Sequence, residues 1–317
     1  MLTSIAILLG GLVLLAVAAD RFVLSAARLS RAWGLSPVLV GALVVGMGTS
    51  APELLVSILA ALDGDLNLAL GNAVGSNVAN VTLVVGIAAL VHPLTGTLQV
   101  LQREGALMFV AVCGFAYVMW DREVTRLEGS ILAGAMVIAA LLVVRWAKLD
   151  KNSAMETAPR SGDDVKVTRE LIVGLVALGL TMVGAQMLVE GGSALAAALG
   201  VGSSFVGMTL VAVGTSLPEL ATSVAGVRRG EFDIVLGNVV GSNLFNALAV
   251  GGAAGILAPG TVEPNLLVGV IGMVGFAALA GILARTGRTV VRWEGAMLLL
   301  GFVAFVVVSY DPSRVGL

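Results

Sequence analysis

The chain repeats itself at a constant offset of 166 residues, and no other feature of its 317 residues constrains the fold as much. VGALVVGMGTSAPELLVS and LGNAVGSNVAN, between residues 40 and 80, face VGMTLVAVGTSLPELATS and LGNVVGSNLFN, between 206 and 246. From Val38 to Asn80, 19 of 43 positions are identical without a gap. Pro93/Pro259 and Glu128-Gly129/Glu294-Gly295 keep the same register further on. Whatever one half folds into, the other must fold into as well.

The solvent for both halves is lipid. Charged residues make up 12% of the chain and apolar residues 58%, against about 25% charged in soluble domains. Apolar runs long enough to cross a bilayer recur from end to end. Cutting the hydropathy at charged and Pro/Gly-rich breaks gives ten spans, near 3–20, 37–61, 66–91, 105–120, 128–147, 170–198, 204–227, 232–257, 264–284 and 292–310. The first has the length of a signal-peptide core, but no basic residue precedes it and Asp20 follows, so it reads as a retained helix. Five spans per half is an odd number, so the second copy enters the membrane from the opposite side. The expected fold is an all-α polytopic membrane protein, ten transmembrane helices in two inverted five-helix repeats, which is a transporter architecture.

Lys and Arg set the orientation. Loops after odd-numbered spans hold 15 of the 18 basic residues; the other side holds Arg122, Arg126 and Arg314. Both termini are therefore expected outside. The chain divides into a first repeat over 1–147, a mixed-charge cytoplasmic linker over 148–169 and a second repeat over 170–317. A net charge of −2 gives no basic patch for nucleic acid. The single Cys113 and single His92 exclude a disulfide framework and a zinc, iron or copper cluster, and no G-x-x-x-x-G-K-[ST] run offers a nucleotide site.

The scarce polar groups inside the spans fall into stripes. Thr49, Glu53 and Ser57 recur at i, i+4 and i+8 and share one helix face, as do Thr215, Glu219 and Ser223. Pro52 and Pro218 precede the acids and free carbonyls four residues back, at Gly48 and Gly214. Asn72, Ser76 and Asn80 form a second stripe, matched by Asn238, Ser242 and Asn246. A carboxylate at mid-membrane costs roughly 2.5–3.5 kcal/mol on insertion scales, which makes Glu53 and Glu219 site candidates, and no Lys or Arg lies at a span centre to neutralise them. Two carboxylates among hydroxyl, amide and carbonyl oxygens describe a hard-cation site, where one Ca²⁺ or two or more Na⁺ would balance the charge. Other acids read differently. Glu128 and Glu294 sit at helix starts and complement the dipole. Asp63, Asp65, Glu231 and Asp233 lie in short loops, and Glu190 stands at a span end, as an interfacial or a mouth residue.

The paired GTSAPE and GTSLPE motifs, each followed by GN-x-x-GSN, resemble the α-repeats of the Ca²⁺/cation antiporter superfamily, especially prokaryotic sodium/calcium exchangers. The resemblance covers nearly the whole chain. It implies that Glu53 and Glu219 are the central ion ligands and that Thr49, Ser50, Ser76, Thr215, Ser216 and Ser242 supply further oxygens, with Asn80 and Asn246 also at site positions. Several relatives, potassium-dependent exchangers among them, carry Asp at one of these last two positions; this chain has Asn at both, which weighs against K⁺ co-transport and against proton coupling through a central Asp.

The expected function is exchange of Ca²⁺ for Na⁺ by alternating access, serving calcium homeostasis, with no enzymatic step and no cofactor. The chain is expected to work as a monomer in a prokaryotic cytoplasmic membrane, with Ca²⁺ and Na⁺ as substrates and the lipid bilayer as surroundings. Ca²⁺/H⁺ exchange and K⁺-dependent exchange are the nearest alternatives. A passive cation channel is the alternative from another class, separated by whether Ca²⁺ flows with no counter-ion opposite.

Overall fold

A computed structural model describes residues 2–96, 98–154, 166–198, 212–285 and 288–310. These are almost wholly helical. The first half runs α1 (Leu2–Trp33), α2 (Pro37–Thr49), α3 (Ala51–Leu62), α4 (Leu66–Val91), β1 (Leu94–Thr95), α5 (Leu98–Val118), β2 (Glu123–Val124) and α6 (Arg126–Ala154). The second runs α7 (Val167–Ala198), α8 (Ala212–Thr215), α9 (Leu217–Arg228), α10 (Phe232–Leu257), β3 (Gly260–Thr261), α11 (Pro264–Arg285), β4 (Thr289–Val290) and α12 (Arg292–Tyr310). Among the described residues, eight helices are long and apolar enough to cross a bilayer, and α2 with α3 forms a further, bent one. The protein is an integral membrane protein.

The spans are longer than the hydropathy suggests at charged ends. α1 was expected to stop near residue 20 and continues to Trp33, because the charges that interrupt its apolar run are paired. Arg21 and Arg28 reach Glu170, and Asp20 receives Arg229. The segment expected as a linker over 148–169 is helical through Ala154 and again from Val167; residues 155–165 lie outside the described residues, as do 199–211 of the seventh expected span.

The repeat in sequence is a repeat in backbone. Gly64 and Gly230 both adopt positive φ (83° and 71°), as do Arg122 and Arg288 (66° and 59°). β1 pairs with β4 and β2 with β3, antiparallel in each case. The flanking bonds match too: Gly96 N–H donates to the Arg288 carbonyl (2.9 Å) and Val262 N–H to the Arg122 carbonyl (2.8 Å). β1 and β2 bracket α5, and β3 and β4 bracket α11, so these pairings make α5 and its offset partner α11 run antiparallel.

Burial sorts the helices by polarity. α10 is 89% buried and α4 72%, whereas the other single-helix spans are between 17% and 33% buried. The two that carry the Asn/Ser stripes occupy the centre, where protein replaces lipid around their polar groups. α1 and α7 lie against each other through glycines: a Cβ at Gly184 would stand 2.6 Å from the Leu15 nitrogen, and one at Gly11 2.9 Å from the Gly184 carbonyl. Outward they show Leu9, Leu12, Val13, Val17, Ile172, Leu175 and Val176.

Candidate functional site

The helix that carries each glutamate begins inside the protein. α2 ends at Thr49 and α3 starts at Ala51, with a 43° bend between them. The pivot, Ser50, has φ −85° and ψ 7°; Ser216, between α8 and α9, has φ −86° and ψ 4°. Pro52 and Pro218 fall in the first turn of the new helices, where a missing N–H removes no intrahelical bond. Glu53 and Glu219 sit in those same first turns, over the positive ends of the dipoles. Proline thus starts a helix here instead of kinking one. The Gly48 carbonyl, expected to be free, accepts a backbone N–H of the cap.

The two halves meet at these breaks. Ser50 Oγ donates to Glu219 Oε1 at 2.7 Å. Thr49 Oγ1 donates to the Val45 carbonyl (2.9 Å) and stands 3.4 Å from Asn238 Oδ1. Ser242 Oγ donates to the Gly46 carbonyl at 3.2 Å. That approach needs a glycine, since a Cβ at Gly46 would lie 2.8 Å from the Asn238 carbonyl oxygen. Ser76 is buried on α4, and Thr215, half-buried, closes α8.

Glu53, Glu219, Ser216, Asn80 and Asn246 are each no more than 1% exposed. Among the described residues, both carboxylate oxygens of Glu53, Glu219 Oε2, Ser216 Oγ and both amide atoms of Asn80 and of Asn246 have no hydrogen-bond partner. A buried polar atom without a partner costs about 1–3 kcal/mol, more when charged, and eight of them in one repeated motif is not a packing accident. Among the described residues no sulfur or imidazole takes part. Among the described residues no group of three or more His, Cys, Asp or Glu forms a metal cluster, so the available ligands are two carboxylates and neutral oxygens.

Three features were not visible in the sequence pattern. Asn80–Val84 and Phe245–Val250, at related positions, are π-helical, as is Gly41–Gly46. A π turn breaks the regular i→i+4 register, and such turns recur at functional sites. Phe245–Val250 packs against Leu66–Ala79, and Asn80–Val84 against Phe232–Leu244. Second, Ser57 and Ser223, on the expected ligand face, are committed elsewhere. Asn72 Nδ2 donates to Ser57 Oγ (2.9 Å) and to the backbone carbonyl of Glu53 (3.0 Å). Asn238 Nδ2 approaches Ser223 Oγ (3.0 Å), Thr222 Oγ1 (3.2 Å) and the Glu219 carbonyl (3.4 Å). Each asparagine clamps the turn that presents a glutamate. Third, Glu104 and Glu170 are also buried, at the edges of expected spans where the sequence marks neither as a buried acid. Glu231, expected in a solvated loop, pairs with Arg31.

The acids read as caps behave as caps. Glu128 Oε2 accepts from the backbone N–H and hydroxyl of Thr125 (2.8 and 2.7 Å), and Glu294 Oε2 from the Val291 N–H (2.8 Å).

Known proteins resemble this chain over nearly its whole length. A family model described as sodium/calcium exchanger protein matches residues 3–145 and 170–310. Inner membrane protein YrbG of Escherichia coli is 36% identical, over 99% of both chains. The sodium/calcium exchanger MaX1 of Methanosarcina acetivorans is 33% identical, over 96% of this chain and 97% of its own. The solved structure of the sodium-calcium exchanger NCX_Mj soaked with 2.5 mM Na⁺ and 0.1 mM Ca²⁺ superimposes with a TM-score of 0.84 at 28% identity, covering 97% of this chain and 98% of that one. These matches run over nearly the full length, and the chain belongs to the sodium/calcium exchanger protein family of membrane antiporters.

Proposed function

We propose that the protein exchanges Ca²⁺ for Na⁺ across a membrane by alternating access, with Glu53 and Glu219 as the central ligands. Thr49, Ser50, Ser76, Asn80, Thr215, Ser216, Ser242 and Asn246 complete the set. The observation that carries this is the pair of unneutralised carboxylates, buried among unpartnered neutral oxygens. One Ca²⁺ cancels their charge, and so do two or more Na⁺. The site without cations would hold two uncompensated charges away from water, so the switch between access states is costly unless cations travel with it. That penalty couples the two fluxes.

Ten spans in two inverted repeats, with 148–169 as the hinge between 1–147 and 170–317, both termini outside and a monomer in a prokaryotic inner membrane, complete the reading. The antiparallel run of α5 and α11 supports the inversion, and the name of the YrbG relative supports the membrane. The moving part is the α1/α7 pair, which shares a glycine-lined contact and shows its outer face to lipid. The central helices hold the ions.

Reconstituted protein tests this with Na⁺, K⁺ and pH gradients imposed separately. Uptake of Ca²⁺ driven by an outward Na⁺ gradient alone is the expected result. Uptake under a pH gradient alone would make the protein a Ca²⁺/H⁺ exchanger, a K⁺ requirement would make it a K⁺-dependent one, and Ca²⁺ flow with no counter-ion would make it a channel.

A further inference from the structure

The ends of the α1/α7 pair are built differently. The second half of α1 carries all its charges, Asp20, Arg21, Arg28 and Arg31. Arg229, at the end of α9, grips Asp20 with two bonds, Nε to Oδ1 at 2.7 Å and Nη2 to Oδ2 at 2.5 Å. Arg31 pairs with Glu231 in the turn between α9 and α10. Both contacts join α1 to the central helices at one face of the protein. Glu170 instead joins α1 to α7: Arg28 Nη1 lies 2.8 Å and Arg21 Nη2 3.5 Å from Oε1, and Ser25 Oγ donates to Oε2 at 2.9 Å. The pair is tied together by one set of charges and tied to the core by another.

The repeat offset removes this second set from the opposite face. Gln186 stands where Asp20 has its counterpart, Asp63 where Arg229 does, Ala197 for Arg31 and Asp65 for Glu231. Gln186 bonds Glu190 on its own helix at 2.9 Å. Packing follows the same asymmetry: α1 lies along α9, whereas among the described residues α7 makes no comparable contact with α3.

We propose that Asp20–Arg229 and Arg31–Glu231 form a one-sided latch that holds α1 against the core and sets which access state the protein rests in. This rests on the alternating-access reading. Exchanging the roles of the two halves would bring Gln186 towards Asp63 and Ala197 towards Asp65, and neither combination is an ion pair. The latch therefore stabilises one state and has no counterpart in the other. Two partly exposed pairs, one of them bidentate, bias such an equilibrium by about three- to tenfold.

A cysteine reporter reads the latch at one fixed Na⁺ concentration, the same for every variant. Ala26, 2% exposed on α1, belongs to one buried cluster with Val40, Val45, Ala177 and Ile234, and water is expected to reach it when α1 leaves the core. In the full chain with Cys113→Ala and Ala26→Cys, Asp20→Asn or Arg229→Gln is expected to raise the rate of maleimide labelling about two- to fivefold, the share of one pair. The charge swap Asp20→Arg with Arg229→Asp is expected to return it towards the starting rate. Choline chloride should accelerate labelling of the intact latch more than that of the broken one, which keeps only the Arg31–Glu231 pair to screen. A cysteine in place of Leu15, at the glycine-packed end, should label at one rate throughout. Unchanged Ala26→Cys labelling in both single variants, a swap that labels as fast as either, or equal acceleration at Leu15→Cys would overturn the latch. Absence of Na⁺-driven uptake by wild-type proteoliposomes would overturn the exchange reading and leave the labelling result standing.

Discussion

Glu53 and Glu219 occupy the same place in two copies of one motif, yet their surroundings differ. Both follow a Ser pivot whose dihedral angles agree within 3°, and both open a helix with proline in its first turn. Glu219 accepts a 2.7 Å bond from Ser50 of the other half. The reciprocal bond is not made: among the described residues Ser216 Oγ and both oxygens of Glu53 have no partner. Local sequence therefore fixes where each carboxylate stands, and the contact between halves decides which one is held. Glu219 is preorganised; Glu53 has its full lone-pair capacity available to a cation.

Four experiments break or sharpen that inequality. The largest effect is expected from Glu53→Gln, with Na⁺-driven Ca²⁺ uptake falling at least about 100-fold, because removing a buried charge from a coupled set costs about 3–5 kcal/mol. Glu219→Gln should lose less, since Ser50 can donate to an amide oxygen; equal losses would mean the two acids are interchangeable. Next, Ser50→Ala should weaken apparent Ca²⁺ affinity about tenfold by deleting a bond to a charged group, with Ser216→Ala costing about two- to threefold. Titrations in which Ser216→Ala matches Ser50→Ala would show that the halves trade roles during transport.

Smaller effects separate the clamps. Asn238→Ala should lower stability by about 2 kcal/mol and Asn72→Ala by about 1 kcal/mol, because the former serves Thr222 as well as the serine and the glutamate carbonyl. Thermal unfolding in detergent ranks them, and the reverse order would refute the extra bond. Smallest is Thr222→Val, which gives the second half the residue found at Val56; a loss below about 1 kcal/mol with uptake unchanged is expected.

A second contrast explains how far the sequence could be read. Thr125-x-x-Glu128 and Ser50-x-x-Glu53 have the same spacing, which marks a capping box. At the surface it closes: Thr125 and Glu128 exchange bonds within one turn. In the centre it stays open, because Ser50 turns to the other half and no side chain caps either broken helix. Spacing names the residues that can pair and leaves the choice of partner to what packs alongside. Ser57 shows the same limit, for periodicity put it on the ligand face and Asn72 on the next helix claimed it. Asp20 and Glu170 show it for hydropathy, which treats a charge as a break and cannot see the arginine that pairs with it.

The sequence alone determined that the chain lies in lipid, that it is built twice, and which acids lie within its apolar spans, because apolar run length, identity at a fixed offset and charge position are properties of the chain itself. Tertiary structure decided the rest. It placed the helix starts at Ser50 and Ser216, opened π turns at Asn80 and Phe245, gave Glu219 a partner and Glu53 none, and put ion pairs at one end of α1 and glycines at the other. These depend on which atoms of one half reach the other, and a pseudo-symmetric sequence fixes no such contact until the halves are packed and the symmetry is broken.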